Sequence, residues 1–250
     1  MKMQDKQAKQ RQLAEEAKAR LQADKARIQA DKARRQQQPI PTRAAPSLEE
    51  RPRILIVCQG KKTETSYFEQ FEYVSAIIKT VPVAKDPVSL VEAAIQLRDE
   101  AKDAKKPYAQ VWCVFDKDDS PAEQFNSAIS RAHGQKLRVA YSNQAFEFWL
   151  LLHFEDHQGG GLDRALCTEK VLSYLPEGVG FEGNKKKRIG RTFFDILQST
   201  DPQSGRNRRK VAIGRARAIA KRWQQAGTPP ADQESTTLVF DLVMQLQRHL

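Results

Sequence analysis

The sequence lacks the features that mark membrane-spanning and secreted proteins. No apolar run approaches the roughly 18 residues that cross a bilayer, and no apolar segment follows the N-terminal residues Met1–Lys6. The three cysteines, Cys58, Cys113 and Cys167, lie far apart and have neither a disulfide nor a zinc-ligand pattern. The four histidines show no ligand spacing. We therefore expect a cytoplasmic protein with reduced cysteines and no membrane association.

The sequence also lacks the glycine spacing of nucleotide-binding loops. The turn Gln59–Glu64 follows an apolar segment and contains one glycine, Gly60, before Lys61 and Lys62. A P-loop or a dinucleotide turn needs further glycines at fixed positions. This turn is therefore not predicted to bind a nucleotide in either of those ways.

Positive charge is abundant but unevenly distributed. The formal net charge is +11, yet residues 1–53 carry 14 Lys/Arg against 7 Asp/Glu, and residues 183–222 carry 13 against 2. The rest of the chain is therefore acidic overall. Two basic regions beside an acidic core favour binding to a phosphate backbone, although solubility alone also produces such a pattern.

The first 52 residues predict a basic helical arm followed by a linker. Residues 20–26 and 27–33 form a near-repeat rich in helix-forming residues, with only Leu21 and Ile28 as large apolar positions. The arm is either a solvated helix or a contact for nucleic acid or a partner helix. Prolines 39, 41, 46 and 52 predict the linker. We place an α/β core at residues 53–157 and a helical basic C-terminal region at 158–250.

The folded part alternates between strand and helix patterns. Such alternation predicts a mostly parallel sheet covered by helices. Apolar runs predict strands at 54–58, 81–83, 110–115 and 137–141, and three- to four-residue periodicity predicts helices at 64–79, 89–104, 122–132 and 143–153. Further helices are expected at 163–175, 189–200, 205–226 and 235–250.

Acidic residues follow the apolar strand Val111–Phe115. Because parallel strands present their carboxyl ends at one edge, the turns 59–64 and 116–119 should meet there. Asp116 and Asp118 are two residues apart. In an extended chain their side chains point the same way, so that both carboxylates can bind one cation such as Mg²⁺. The alternative is a solvated acidic turn in which Asp119-Ser120-Pro121 starts the next helix.

Three sequence blocks resemble the RloB-like (abortive-infection) family, which is similar to the Toprim fold. They are Ile54–Glu64, Val114–Asp119 and Ala140–Phe154, in the expected order. The resemblance implies a Toprim-like α/β fold with a glutamate after the first strand and an Asp-x-Asp after a later one. In such enzymes the acids bind Mg²⁺ (or Mn²⁺) and the glutamate assists proton transfer during phosphodiester cleavage.

Here Asp116 and Asp118 match the Asp-x-Asp, but Gln59 stands at the glutamate position. An amide neither takes up a proton nor adds negative charge to a metal site. Either Glu64, Asp119 or Glu147 supplies the missing carboxylate, or the chain is a weak or inactive relative, or the residue is an engineered change. Glu147 lies in an apolar segment and is either a site residue or a structural one.

The resemblance implies a Mg²⁺-dependent nuclease-like effector of anti-phage defence that acts with an ATPase partner. The candidate catalytic residues are Gln59, Glu64 and Glu147, and the candidate metal ligands are Asp116, Asp118 and Asp119. Lys61, Lys62 and the run Lys185, Lys186, Lys187 and Arg188 are expected to contact the phosphates of DNA or RNA. The alternative function is a non-catalytic module that binds nucleic acid or a partner protein, which the glutamine at position 59 favours.

Overall fold

A computed structural model describes residues 15, 18–30, 32–33, 51–83, 86–183, 187–202 and 204–250. The chain divides into two compact units, Met1–Glu49 and Glu50–Leu250, each of which is described by itself. In the first unit, residues 18–30 form a helix whose side chains are all exposed, including Leu21 and Ile28. The helical character predicted for the arm is thus present there. The boundary at residue 157 stays a prediction.

A five-stranded sheet with the order β2-β1-β3-β4-β7 organises the second unit. The first four strands are parallel, and β7 is antiparallel to β4. The predicted α/β class with a mostly parallel sheet is therefore confirmed. The strands are β1 (Arg53–Cys58), β2 (Ile77–Pro82), β3 (Gln110–Asp116), β4 (Arg138–Asn143) and β7 (Thr236–Thr237); β5 (Phe181–Glu182) and β6 (Arg188–Ile189) form a separate pair.

Helices lie between and after these strands, as the alternating pattern predicted. They are α1 (Thr63–Glu69), α2 (Pro87–Asp103), α3 (Ala122–Gly134), α4 (Glu147–Leu151), α5 (Arg164–Ser173), α6 (Arg191–Gln198), α7 (Arg208–Ala226) and α8 (Val239–Leu246), with short 3₁₀ turns at Pro230–Asp232 and Gln247–His249. Among the described helices, none has the length and apolar character needed to span a membrane.

The sheet buries both of its faces, which explains the unbroken apolar runs of β1 and β3. Successive residues of a strand point to opposite faces. Ile54 and Ile56 therefore join one core, with the aromatic residues of α1, α4 and α6, while Leu55 and Val57 join another, with α2 and α3. The three cysteines are buried and free in these cores, as expected.

Three of the predicted helices are wrong in extent. The helix expected at 235–250 starts at Val239, because Thr236–Thr237 pairs with β4 as the strand β7. The helix expected at 64–79 ends at Glu69, because Ile77–Pro82 pairs with β1 as an edge strand. The apolar spacing that predicted this helix combined residues of α1 with residues of β2 and of the segment between them. The helix expected to start at Asn143 starts at Glu147 instead. Asn143 ends β4, and its side-chain amide donates to the carbonyl oxygens of Pro230 and Ala231.

Phe125 gives a direct test of the second core. It is fully buried in α3, and its ring packs edge-to-face on Phe115 and Tyr141, with centroids 5.5 and 5.4 Å away. Phe125→Ala should lower the free energy of unfolding by about 3–5 kcal/mol, because it leaves a cavity between helix and sheet. Urea denaturation measures this loss. Val74→Ala, at an exposed position, should change stability by less than about 0.5 kcal/mol; similar losses in both variants would contradict the assigned packing.

Candidate functional site

A pocket of about 390 Å³ opens at the carboxyl ends of β1 and β3. These strands are adjacent and parallel, so the turns that follow them lie side by side, as the sequence predicted. Helices α1, α4 and α5 each contribute residues from their first turn. The lining consists of Gln59, Gly60, Lys61, Lys62, Thr63, Glu64, Asp116, Asp118, Glu147, Arg164 and Lys187.

Gln59 joins the ends of the two central strands. Its backbone N–H donates to the carbonyl oxygen of Val114 at 2.8 Å, and its side-chain Oε1 accepts from the backbone N–H of Asp116 at 2.9 Å. The amide oxygen is therefore directed at the β3 backbone. This residue fixes the distance between the β1 turn and Asp116, a role that the sequence did not indicate.

Gly60 permits a close approach by Glu64. A Cβ atom at position 60 would lie 1.7 Å from Oε2 of Glu64, so any side chain there would force this carboxylate to move. Glu64 is buried in α1, and its carboxylate is folded back over the turn that follows β1. Glu64 thus places its carboxylate against Gly60, the residue that follows Gln59.

Asp116 and Asp118 meet at a single guanidinium group. Nη2 of Arg164 lies 2.7 Å from Oδ2 of Asp116 and 2.9 Å from Oδ1 of Asp118. Because one nitrogen contacts both carboxylates, their oxygens are close enough to share one cation. Asp116 is buried, whereas Asp118 is about one-third exposed at the pocket mouth.

Glu147 completes the acidic group. It is the first residue of α4 and is buried, and its Oε2 lies 3.4 Å from Nε of Arg164. Neither of these two atoms has a hydrogen-bond partner, and neither does Oδ1 of Asp116. The pocket therefore contains buried polar atoms that the protein itself leaves unsatisfied, which is unusual in folded proteins and typical of sites that bind something.

Burial is the main cause of raised pKa values at Glu64, Asp116 and Asp118. Burial raises the pKa of Glu64 to about 7, with repulsion from Glu147 adding to the rise and Arg164 opposing it. Burial, followed by Glu64 and Glu147, raises the pKa of Asp116 well above its ordinary range. The pKa of Asp118 is also raised by burial, against the attraction of Arg164. Perturbed acids in a cleft are a physical signature of functional sites.

Lysines form one side of the pocket opening. Lys61 and Lys62 lie on the β1 turn, and Lys187 is held at the opening because its carbonyl oxygen accepts a hydrogen bond from Oγ1 of Thr63 at 2.9 Å. Of the other predicted phosphate contacts, Lys185 and Lys186 lie outside the described residues. Arg188 does not line the pocket, and its guanidinium faces Glu69 at 3.6 Å.

The structure thus brings together Gln59, Glu64, Glu147, Asp116 and Asp118. Asp119 is exposed and does not line the pocket. In the described residues, no group of three or more His, Cys, Asp or Glu is placed so that it could hold a metal ion. The acids instead surround Arg164. Sequence reasoning missed this residue, since its pairing with Asp116 spans 48 positions and no local pattern signals it.

The raised pKa of Glu64 predicts a specific pH dependence of stability in the metal-free protein. The folded state holds a proton that the unfolded state, with an ordinary value of 4.5, has lost. The free energy of unfolding should therefore fall as the pH rises from about 4.5 to about 7, by up to about 3 kcal/mol. Glu64→Gln should flatten this fall and stabilise the protein at pH 7, as measured by denaturation with a chelator present.

Glu177→Gln is the control, because this residue is exposed and should leave the slope unchanged. Asp116 contributes a remaining slope of the same sign in every variant. If Glu64→Gln and the parent chain show equal slopes between pH 4.5 and 7, Glu64 does not carry the predicted proton.

A protein-family model matches most of the chain. The family model described as "RloB-like protein" matches residues 54–246, which include every residue of the pocket lining. Neither the curated proteins nor the solved structures compared with the chain gave a match. Since the matched segment covers well over half of the sequence, the chain belongs to the RloB-like protein family.

Proposed function

We propose that the protein is a metal-dependent, nuclease-like effector of anti-phage defence that cleaves phosphodiester bonds. The observation that carries the chemical part is the convergence of Asp116 and Asp118 on one point in a pocket that also contains Glu64 and Glu147. The defence role, and an ATPase as the partner protein, rest on the family resemblance of the three motif blocks.

The donor set is suitable for a hard divalent ion. Mg²⁺ prefers carboxylate oxygens and is usually held by one or two carboxylates, with water and substrate phosphates completing its shell. Asp116 and Asp118 would supply the two carboxylates. Oδ1 of Asp116 is buried without a partner, so an oxygen is available to such an ion. A third acid ligand is not required, which agrees with the absence of a three-acid metal group among the described residues.

When bound, the ion would polarise the scissile phosphate and lower the pKa of a bound water. The protein's own groups would then divide the remaining tasks. Glu64 lines the same pocket and would take up or release a proton during the reaction. Lys61, Lys62 and Lys187 would hold the flanking phosphates at the opening.

A separate basic surface offers a path for the rest of the nucleic acid. Helix α7 carries seven Lys/Arg and no acidic residue. A groove of about 760 Å³ lies along its first half and is lined by Arg206, Lys210 and Arg215 together with Asp156, Asn207, Val211 and Gly214. Closely spaced cations along one surface attract the phosphates of a nucleic-acid backbone.

A second function is supported by Gln59. Its amide oxygen is engaged by the β3 backbone, and Arg164 already compensates part of the acidic charge. Such a pocket is stable without a metal ion. A chain of this kind is suited to bind nucleic acid or a partner protein without cleaving it, so that Lys61, Lys62 and Lys187 contribute affinity alone.

Replacement of Gln59 by glutamate distinguishes a metal-dependent nuclease from a non-catalytic binding module. Gln59→Glu restores a carboxylate that still accepts the Asp116 N–H, and it adds one negative charge beside Asp116 and Asp118. We expect tighter Mg²⁺ or Mn²⁺ binding and a cleavage rate higher by about 10²–10⁴-fold, because positioned acid–base groups contribute that much. Gel assays on DNA and RNA substrates, together with metal calorimetry, measure both quantities.

In the double variant Gln59→Glu/Asp116→Asn, the gain should disappear. Cleavage by the parent chain and its loss in Asp116→Asn would support the nuclease. Nucleic-acid binding without cleavage in either the parent chain or Gln59→Glu would favour the non-catalytic module.

The basic groove predicts a measurable salt dependence. Arg206→Ser/Lys210→Ser should weaken nucleic-acid binding and reduce the slope of log affinity against log salt by about 0.7–0.9 for each lost phosphate contact. Lys102→Ser/Lys106→Ser removes the same charge at exposed positions at the end of α2 and just after it and serves as the control. If both double variants change the slope equally, only net charge matters. A parallel Lys187→Ser/Arg188→Ser variant tests the predicted basic run.

A further inference from the structure

The guanidinium of Arg164 lies among the acidic side chains of the pocket. Its guanidinium contacts Asp116 at 2.7 Å and Asp118 at 2.9 Å, and it faces Glu147 at 3.4 Å. Glu64 also interacts with it electrostatically. One side chain therefore offsets part of the charge of four acids. Asp116 ends β3, Asp118 lies in the turn after it, and Glu64 and Glu147 belong to α1 and α4.

The contacts of Arg164 with these acids differ from those of a purely structural ion pair. A structural pair in a buried site normally satisfies all of its polar atoms. Here Nε of Arg164, Oε2 of Glu147 and Oδ1 of Asp116 are buried without hydrogen-bond partners. The acids thus retain bonding capacity that the guanidinium does not use.

The side chain of Arg164 is able to leave while its backbone stays in place. It begins α5, and this helix start is fixed by the Asp163 side chain, which accepts from the N–H of Leu166 at 2.8 Å. The side chain itself is 40% exposed. Moving the guanidinium into solvent therefore breaks ion pairs but opens no cavity in the core.

We propose that Arg164 is the resident cation of this pocket and that a divalent metal ion binds only by displacing its guanidinium from Asp116 and Asp118. The inference rests on the proposed metal site. Nη2 of Arg164 contacts both carboxylate oxygens of Asp118, at 2.9 Å and 3.1 Å. A metal ion that bridges Asp118 and the unpartnered Oδ1 of Asp116 would therefore lie against the guanidinium, and because like charges repel at this range the two cations compete. Arg164 then sets the metal concentration at which the site fills and keeps the acid cluster assembled in the absence of metal.

Metal affinity in matched arginine variants tests this competition. Calorimetric titration with Mg²⁺ and with Mn²⁺ should show at least about tenfold tighter binding to Arg164→Gln than to the parent chain, since removing a competing cation from close carboxylates is worth at least one such factor. Arg164→Lys should lie between the two, because an ammonium group keeps the charge but cannot make the forked contact.

Arg191→Gln provides the control for net charge. Arg191 also bridges two acids, Glu72 and Asp195, each at 2.9 Å, but it does not line the pocket. Its replacement should leave metal affinity unchanged. Asp116→Asn should abolish binding in both the parent chain and Arg164→Gln.

The parent chain gives a readout that does not depend on the folding of any variant at Arg164. With ¹⁵N-labelled arginine, one guanidinium Nε–Hε signal should shift and exchange faster with water as Mg²⁺ is added, because the side chain moves from the acid cluster into solvent. Assignment follows from its absence in Arg164→Lys, or from its loss of the bound-state shift in Asp116→Asn. A signal that stays unchanged at saturating Mg²⁺ overturns the inference.

The results separate this inference from the proposed function. If the parent chain binds metal through Asp116 and Arg164→Gln binds it equally or more weakly, Arg164 does not compete and only the inference fails. If neither the parent chain nor Arg164→Gln binds metal, the proposed metal site fails as well. Tighter binding in Arg164→Gln together with the shifted arginine signal supports displacement.

Discussion

The contact between Arg164 and Asp116 holds together parts of the chain that the sequence keeps far apart. Asp116 lies at the end of the central strand β3, and Arg164 starts a helix of the C-terminal region. Four acids packed at one sheet edge repel one another strongly in a partly buried pocket. A single guanidinium reduces that repulsion, so the arrangement of the pocket depends on this one cation.

The backbone around the pocket serves the same arrangement. The parallel pairing of β1 with β3 places their turns side by side, and Gln59 links those turns by a hydrogen bond from its Oε1 to the Asp116 N–H. The absence of a side chain at Gly60 lets Glu64 fold back over the β1 turn. Gln59 thus has a structural role, and the carboxylate that lies near it belongs to Glu64, in the first turn of α1. This combination explains how the pocket stays acidic without the glutamate that the resemblance leads one to expect.

The electrostatics of the unit give each region a distinct role. The acidic pocket is bordered by Lys61, Lys62 and Lys187, while α7 carries seven further Lys and Arg residues. Long-range attraction of a polyanion would therefore come from the helix, and local positioning from the lysines at the pocket. Two basic elements that act at different distances agree with a proposed substrate longer than the pocket itself.

The sequence by itself determined the strands β1, β3 and β4, the α/β class and the meeting of the two polar turns, because unbroken apolar runs and the geometry of parallel sheets depend on local composition and on general topology. Its local pattern also identified Asp116 and Asp118, whereas Glu64 and Glu147 became candidates through the family resemblance. It misassigned residues 70–79, where helical spacing arose by chance. It also placed Asn143 and Thr236–Thr237 at helix starts, although they pair as strands. Only the tertiary structure decided that Gln59 binds the β3 backbone, that Asp119 stays outside the pocket lining and that Arg164 lies among the acids. Those outcomes depend on contacts between residues distant in the chain and on the mutual repulsion of buried charges, which no local pattern encodes.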